Sequence, residues 1–365
     1  MYTEIIKIIE GGIKNEPNKV IVYAKKLAEK FSDEGNEALA KGIRNLLSNK
    51  AMSSLKMEQL LNTAPVDHET RMSIVDVINS VSLDSQIVLP ESIEKKVNDF
   101  IKIIQYHDKI KEMGVIAQNT LLLYGAPGVG KTTIAKYISL KTGLPLVTAR
   151  LDAVVSSLLG NTSKNIRKIF EYADSKPCIL FLDEIDSIAK ARDDQHEMGE
   201  LKRVINSLLQ NIDIFTQNNV MIAATNHPEL LDKAIWRRFN TVIEVGQPNA
   251  EGISKLIDLY LGKFTEGLRS DKKGYERIVN QFAHKSPSDI KSIINNVITQ
   301  SIISGKKNIG VEDLLIENYY FDTRGKFKTE DLIKYLNESG IPQLQIADLM
   351  NLSIRQIRNN LKETS

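Results

Sequence analysis

A single cysteine, Cys178, stands in a chain of 365 residues. One thiol excludes an internal disulfide and any multi-cysteine zinc site, which fits a reducing compartment. Net charge is equally scarce, since 48 Lys plus Arg against 46 Asp plus Glu leave +2. No global field therefore drives the chain onto nucleic acid or acidic lipid, and any such binding must come from a local patch. Apolar runs stay well short of the roughly 20 residues that span a bilayer. The first segment carries Glu4 and Glu10 and lacks a cleavage pattern. These absences point to a cytoplasmic protein with no membrane partner. Internal repeats and low-complexity tracts are missing too. The length is too great for one small core, so two or more domains are expected.

What is present divides into five stretches. Residues 1–50 show helical spacing of apolar positions (Ile5, Ile6, Ile9; Val20, Val22, Leu27, Phe31; Leu39, Ile43, Leu46, Leu47), punctuated by Pro17 and Gly35, and read as a small helical module. Residues 51–85 are polar and irregular and read as a linker. From 86 to 248, continuously apolar runs alternate with amphipathic segments: LLLYG, a helix over 131–142, PLVTARL, a helix over 161–174, CILFLDE, a helix over 197–211, VMIAATN and VIEVG. This alternation predicts a three-layer α/β core whose parallel strands are buried on both faces. Residues 249–322 turn helical and read as a lid, and 323–365 form a separate compact pattern.

The most informative stretch follows the run Leu121, Leu122, Leu123, Tyr124. It is Gly125, Ala126, Pro127, Gly128, Val129, Gly130, Lys131, Thr132, a phosphate-binding loop by pattern. Its glycines let successive N–H groups face anionic oxygens, and the helix that starts near Lys131 aims its positive end at the same place. Lys131 is expected at the β- and γ-phosphates, and Thr132 offers a hydroxyl to Mg²⁺. Gly125 through Thr133, with Asp183, make up the expected nucleotide-binding set. Ile179 to Leu182 is an apolar strand ending in Asp183 and Glu184, placed to hold the metal's hydration shell and to deprotonate an attacking water. The run Val220 to Thr225 ends in Asn226, whose amide can help position that water. Eleven residues further on come Arg237 and Arg238, guanidinium forks suited to phosphate.

Together GAPGVGKT, ILFLDEID and ATNHPELLDKAIWRRF resemble the AAA+ ATPases, in the AAA clade marked by its second region of homology. The resemblance covers about residues 86–320. It implies a P-loop NTPase fold, ATP and Mg²⁺ as cofactors, Thr132 and Asp183 at the metal, Glu184 as base, and Asn226 as sensor 1. It also implies Arg237 and Arg238 as arginine fingers acting across a subunit boundary. The family's usual form is a six-membered homo-oligomeric ring that couples ATP hydrolysis to remodelling a protein. The stretch 155–162 lies where the family carries a substrate-gripping pore loop. This chain has Leu158, Leu159, Gly160 there and lacks the aromatic residue of many relatives, so the leucines either grip a substrate by aliphatic contact or cover the core. Ser286, Pro287, Ser288, Asp289, Ile290 resemble the clade's Ser-Gly-Ala-Asp-Leu segment near the adenine.

At the C-terminus, 341–361 resembles a helix-turn-helix. Ile346, Leu349, Ile357 and Leu361 would pack two helices together, Ala347 allows close approach, Asn351 tolerates a left-handed turn, and Ser353 caps the second helix. That second helix carries Arg355, Arg358 and Lys362, so 341–362 can serve DNA binding or protein docking. The N-terminal helices lack a basic or aromatic stripe and are expected to bind a protein. With the AAA motifs they resemble bacterial single-AAA-domain ATPases, some of which occur with subtilisin-like protease partners.

Overall fold

The computed structural model describes residues 2–13, 17–33, 36–46, 64–66, 73–78, 86–115, 119–151, 159–190, 198–216, 219–306 and 308–363. The chain separates into two compact units, one of residues 1–85, 96–124 and 132–243, the other of 86–95, 125–131 and 244–365.

The first unit begins with α1 (Tyr2–Ile13), α2 (Pro17–Asp33) and α3 (Glu37–Leu46). Proline opens α2 at a position where the missing N–H costs nothing. Ala24, Leu27, Ala28 and Ala40 are buried among these helices, whereas Ile5, Ile6 and Ile9 of α1 are exposed. Next come β1 (Val75–Ile78), α4 (Glu91–Gln105), α5 (His107–Glu112), β2 (Thr120–Tyr124), α6 (Lys131–Thr142), β3 (Leu146–Ala149), α7 (Leu159–Asp174), β4 (Ile179–Leu182), α8 (Ser187–Lys190), α9 (Met198–Phe215), β5 (Val220–Thr225), α10 (Lys233–Trp236) and β6 (Thr241–Glu244). The six strands order as β1-β3-β4-β5-β2-β6. Pairs β3/β4, β4/β5 and β2/β5 are parallel, and β1/β3 is antiparallel with Val75 opposite Ala149.

Every residue of β4 and β5 is buried. Leu180, Leu182, Met221 and Ala223 join one core cluster with Ile166, Ile169 and Phe170 of α7 and Leu208 and Ile212 of α9. Their neighbours Ile179, Phe181, Ile222 and Ala224 are buried outside that cluster. Because strand side chains alternate, full burial means cover on both faces, as continuous apolar runs predict. One expectation is corrected here. Residues 75–78 fall within the stretch read as linker but form the sheet's antiparallel edge, since Ile74 and Val75 gain burial only through a partner strand some seventy residues away. Much of the remaining linker stretch lies outside the described residues, as do residues 155–158 of the pore-loop segment 155–162, while Leu159 and Gly160 open α7.

The second unit comprises α11 (Ala250–Leu261), α12 (Thr265–Ser270), α13 (Lys272–Gln281), α14 (Pro287–Ile303), α15 (Val311–Thr323), α16 (Thr329–Glu338), α17 (Gln343–Met350) and α18 (Ile354–Glu363), with the N-terminal part of α4 and the loop 125–131. Side chains mark the helix starts: Asn249 caps α11, Asp271 caps α13, and Ser286 with Asp289 forms a capping box on α14. One apolar cluster runs from Ile253 through Ile290, Leu314 and Leu336 to Ile357, so α11 to α18 share a core. No described helix is long and apolar enough to cross a membrane.

Candidate nucleotide site

The phosphate-loop sequence adopts its shape for local reasons. Gly125 has φ 147° and Gly128 φ 79°, conformations that side chains disfavour. A Cβ at Gly125 would lie 2.2 Å from the Val245 carbonyl oxygen, and one at Gly128 would lie 2.6 Å from Ser286 Oγ. The backbone is thus held closely on both sides, and the Ser288 N–H donates to the Gly128 carbonyl at 3.2 Å. Ser286 and Ser288 belong to the segment read as lying near the adenine. Ala126 and Pro127 are exposed, Val129 is buried, and Lys131 is 6% exposed. Lys131 Nζ donates to the carbonyls of Gly125 at 2.7 Å and Ala126 at 2.8 Å, so the cation lies inside the curl of the loop. Helix α6 starts at Lys131, as expected from sequence. A glycine curl with an ammonium inside it at a helix N-terminus is a donor set for polyphosphate.

Within the first unit, Thr132 Oγ1 donates to Asp183 Oδ2 at 2.9 Å, bringing together residues 51 apart in sequence. Both are partly buried, and Thr133 is exposed. Hydroxyl and carboxylate oxygens suit Mg²⁺, which takes one or two protein ligands and keeps waters and phosphate oxygens for the rest. Among the described residues no group of three or more His, Cys, Asp and Glu is placed to hold a metal ion. Glu184 is exposed and has φ 50°, an uncommon left-handed conformation for a residue with a side chain. Its N–H donates to Asp183 Oδ1 at 3.1 Å, and its carbonyl accepts from the Ser187 N–H at 2.8 Å.

Sequence reading missed what holds this turn to the next strand. Asp186, 1% exposed, accepts from Thr225 Oγ1 at 2.8 Å and from the Asn226 N–H at 3.3 Å. Thr225 Oγ1 in turn accepts from the His227 N–H at 3.0 Å, and the Ile185 N–H donates to the Ala224 carbonyl at 3.0 Å. The backbone carrying Glu184 and the backbone carrying Asn226 are therefore clasped by one buried carboxylate. A signal existed, because a second acid two residues after Glu184 in an otherwise apolar run must find donors.

The sequence treats Arg237 and Arg238 alike, and the structure separates them. Arg238 makes a bidentate pair with Asp213 of α9, Nε to Oδ1 and Nη2 to Oδ2 both at 3.0 Å, and its Nη1 donates to the Ala234 carbonyl at 2.7 Å. Hydrogen bonding to the Asp213 carboxylate raises its pKa further. Arg237 is exposed at the C-terminus of α10. One guanidinium thus braces its own chain, and the other is presented to solvent.

A P-loop, an acidic strand end and a polar strand end on a mostly parallel sheet define a P-loop nucleotide-binding protein. The profile of the ATPase family associated with various cellular activities (AAA) matches residues 121–247. An uncharacterized AAA family ATPase of Sinorhizobium fredii, y4kL, is 36% identical over 237 residues, 64% of this chain and 72% of that protein. A proteasome-activating nucleotidase of Sulfurisphaera tokodaii is 32% identical, with 61% of this chain and 59% of the relative aligned. The ATP-dependent zinc metalloprotease FtsH of Lancefieldella parvula is 31% identical over 61% of this chain and 35% of its own length. The chain thus spans less than two thirds of the latter two relatives. The crystal structure of the FIGL-1 AAA domain in complex with ADP superposes with TM-score 0.55 at 20% identity, covering 77% of this chain and 95% of that one, which shows the fold. The chain belongs to the AAA ATPase family.

Proposed function

We propose that this protein is an Mg²⁺-dependent ATPase that works as a homo-oligomeric ring, six-membered by family habit, and converts ATP turnover into remodelling of a protein. The observation that carries this reading is the Thr132–Asp183 hydrogen bond, which joins the phosphate-loop helix to the acidic strand end. In this reading the amides of Gly125 to Gly130 and Lys131 hold the phosphates, with Thr132, Thr133 and Asp183 beside them. Thr132 and Asp183 would hold Mg²⁺, Asp183 through water, and the metal would neutralise phosphate charge. Glu184 takes the proton of the attacking water, and Asn226 orients that water. Arg237 reaches a neighbouring subunit's nucleotide, and Arg238, braced by Asp213, fixes the turn that presents it. A finger given in trans is worth about 10³–10⁵ in turnover, which ties activity to assembly.

The protein substrate is supported by the relatives named as proteasome-activating nucleotidase and ATP-dependent protease. Exposed Ile5, Ile6 and Ile9 support residues 1–50 as the place where a partner protein is held. A helical module over 1–50, a core over 86–248 joined by the edge strand β1, a lid with the C-terminal helix pair, and a cytoplasmic location belong to the same proposal. Lys131→Ala and Glu184→Gln test it together in equilibrium binding, turnover and sedimentation. Lys131→Ala is expected to lose nucleotide binding, and Glu184→Gln to bind ATP, cease turnover and accumulate as the oligomer. Turnover retained by Glu184→Gln would reject the assignment of the base.

A further inference from the structure

The C-terminal helix pair is not used by the nucleotide chemistry, and its construction is specific. Helix α17 ends at Asn351 in the left-handed conformation, φ 52° and ψ 41°. Two residues later Ser353 starts α18: its Oγ accepts from the Gln356 N–H at 3.3 Å, while Gln356 Oε1 accepts from the Ser353 N–H at 2.9 Å. A tight turn closed by a reciprocal cap fixes how one helix leaves the other. Ile346 and Ile357 are fully buried in the core that also holds Leu332, Ile333 and Leu336. The Arg277 guanidinium donates to the Gly340 carbonyl at 2.8 Å and anchors the segment that leads into α17. The pair is therefore mounted rigidly on the second unit.

Helix α18 buries Ile357 and half-buries Ile354 and Leu361, positions i, i+3 and i+7. The opposite stripe is Arg355, Arg358, Asn359 and Lys362, and all four are exposed. They fall within about 100° of arc and about 10 Å of helix length. Arg358 Nε donates to Gln343 Oε1 of α17 at 3.4 Å, which inclines its guanidinium toward the first helix. The stripe itself, Arg355 to Lys362, contains no acid, and Asp348 is carried by α17. Among the described residues the pair exposes one large apolar side chain, Leu344.

We infer that α17 and α18 form a duplex-DNA-binding surface, with the Arg355, Arg358, Asn359 and Lys362 stripe entering the major groove. Three cations and an amide, all hydrogen-bond donors, are the side chains that read phosphates and base edges. Protein docking surfaces instead centre on buried aromatic or aliphatic anchors, which the stripe lacks. A helix about 10–12 Å across fits a groove about 12 Å wide, and ten residues give it about 15 Å of length along that groove. With a chain charge of only +2, this local patch is the source of attraction. The inference stands apart from the ATPase reading.

The test is fluorescence anisotropy of the full chain with a labelled mixed-sequence duplex of about 30 bp. Three phosphate contacts give a slope of log K against log salt near −3, so affinity falls about 40-fold between roughly 50 and 200 mM salt. Replacing each of Arg355, Arg358 and Lys362 by Ala should lower the slope by about 1. The triple variant should lose binding while its ATP turnover and thermal unfolding stay unchanged. Absence of binding at the lower salt, or a triple variant with unaltered slope, would overturn the inference. So would displacement of the duplex by polyglutamate at equal charge concentration, which would make the surface one for an acidic protein.

Discussion

The clasp made by Asp186 sets a quantitative demand. Asp186→Ala would leave the buried Thr225 hydroxyl and the partly buried Asn226 N–H without their carboxylate, and each donor left unpaired costs about 1–3 kcal/mol. Thr225→Val keeps the shape of the side chain but removes both its bond to Asp186 and the acceptor for the His227 N–H, a loss of about 2–3 kcal/mol. The two changes share one interaction, so they cannot add. A hydrogen bond to a charged group contributes about 1.5–3 kcal/mol, and the double variant should be less destabilised than the sum of the singles by about that amount. Urea unfolding at unchanged slope measures all four corners of the cycle. Turnover should fall in each single variant with little change in ATP affinity, since Glu184 and Asn226 lose a common support while the phosphate loop is untouched. Additivity within about 0.5 kcal/mol would refute the reasoning, because independent sites behave that way.

Glu184 at φ 50° holds a conformation that costs a side-chain-bearing residue about 1–2 kcal/mol. Glu184→Gly should therefore raise the unfolding free energy measured in urea by up to about 1 kcal/mol while abolishing ATP turnover, a split that a merely structural glutamate would not show. Arg237→Ala should reduce turnover by about 10³ or more without changing stability. Arg238→Ala should cost up to about 1 kcal/mol through its half-exposed pair with Asp213, and Asp213→Ala should reproduce that stability loss. Burial pushes the Cys178 thiol up to about 12, with nearby Lys176 opposing the shift. In the unfolded chain the thiol deprotonates near its ordinary value of about 8.5. Stability from this group is thus complete below that pH and declines by about 1.4 kcal/mol per pH unit on the way to the folded value. Cys178→Ala should remove that part of the decline, measured as the difference between the two proteins in unfolding at stepped pH.

Contiguous residues wrote the chemistry that depends on local backbone. The glycine angles of the curl over Gly125 to Gly130, the helix starting at Lys131 and the acids following β4 are set by residue types a few positions apart, although Val245, Ser286 and Ser288 hold the curl from far along the chain. Their side-chain types and spacing therefore announce a nucleotide-binding core before any folding is known. The same holds for Asn351 and Ser353, whose turn and cap are local. Tertiary structure alone decided the rest, since each case joins residues far apart in the chain. Short β1 found its place by pairing with β3, and Asp186 found Thr225 across 39 residues. Asp213 took Arg238 across 25 residues and so divided an arginine pair that looks equivalent in sequence. Local propensity fixes what a segment offers; which distant group accepts the offer depends on how the layers stack, and no short window of sequence contains that information.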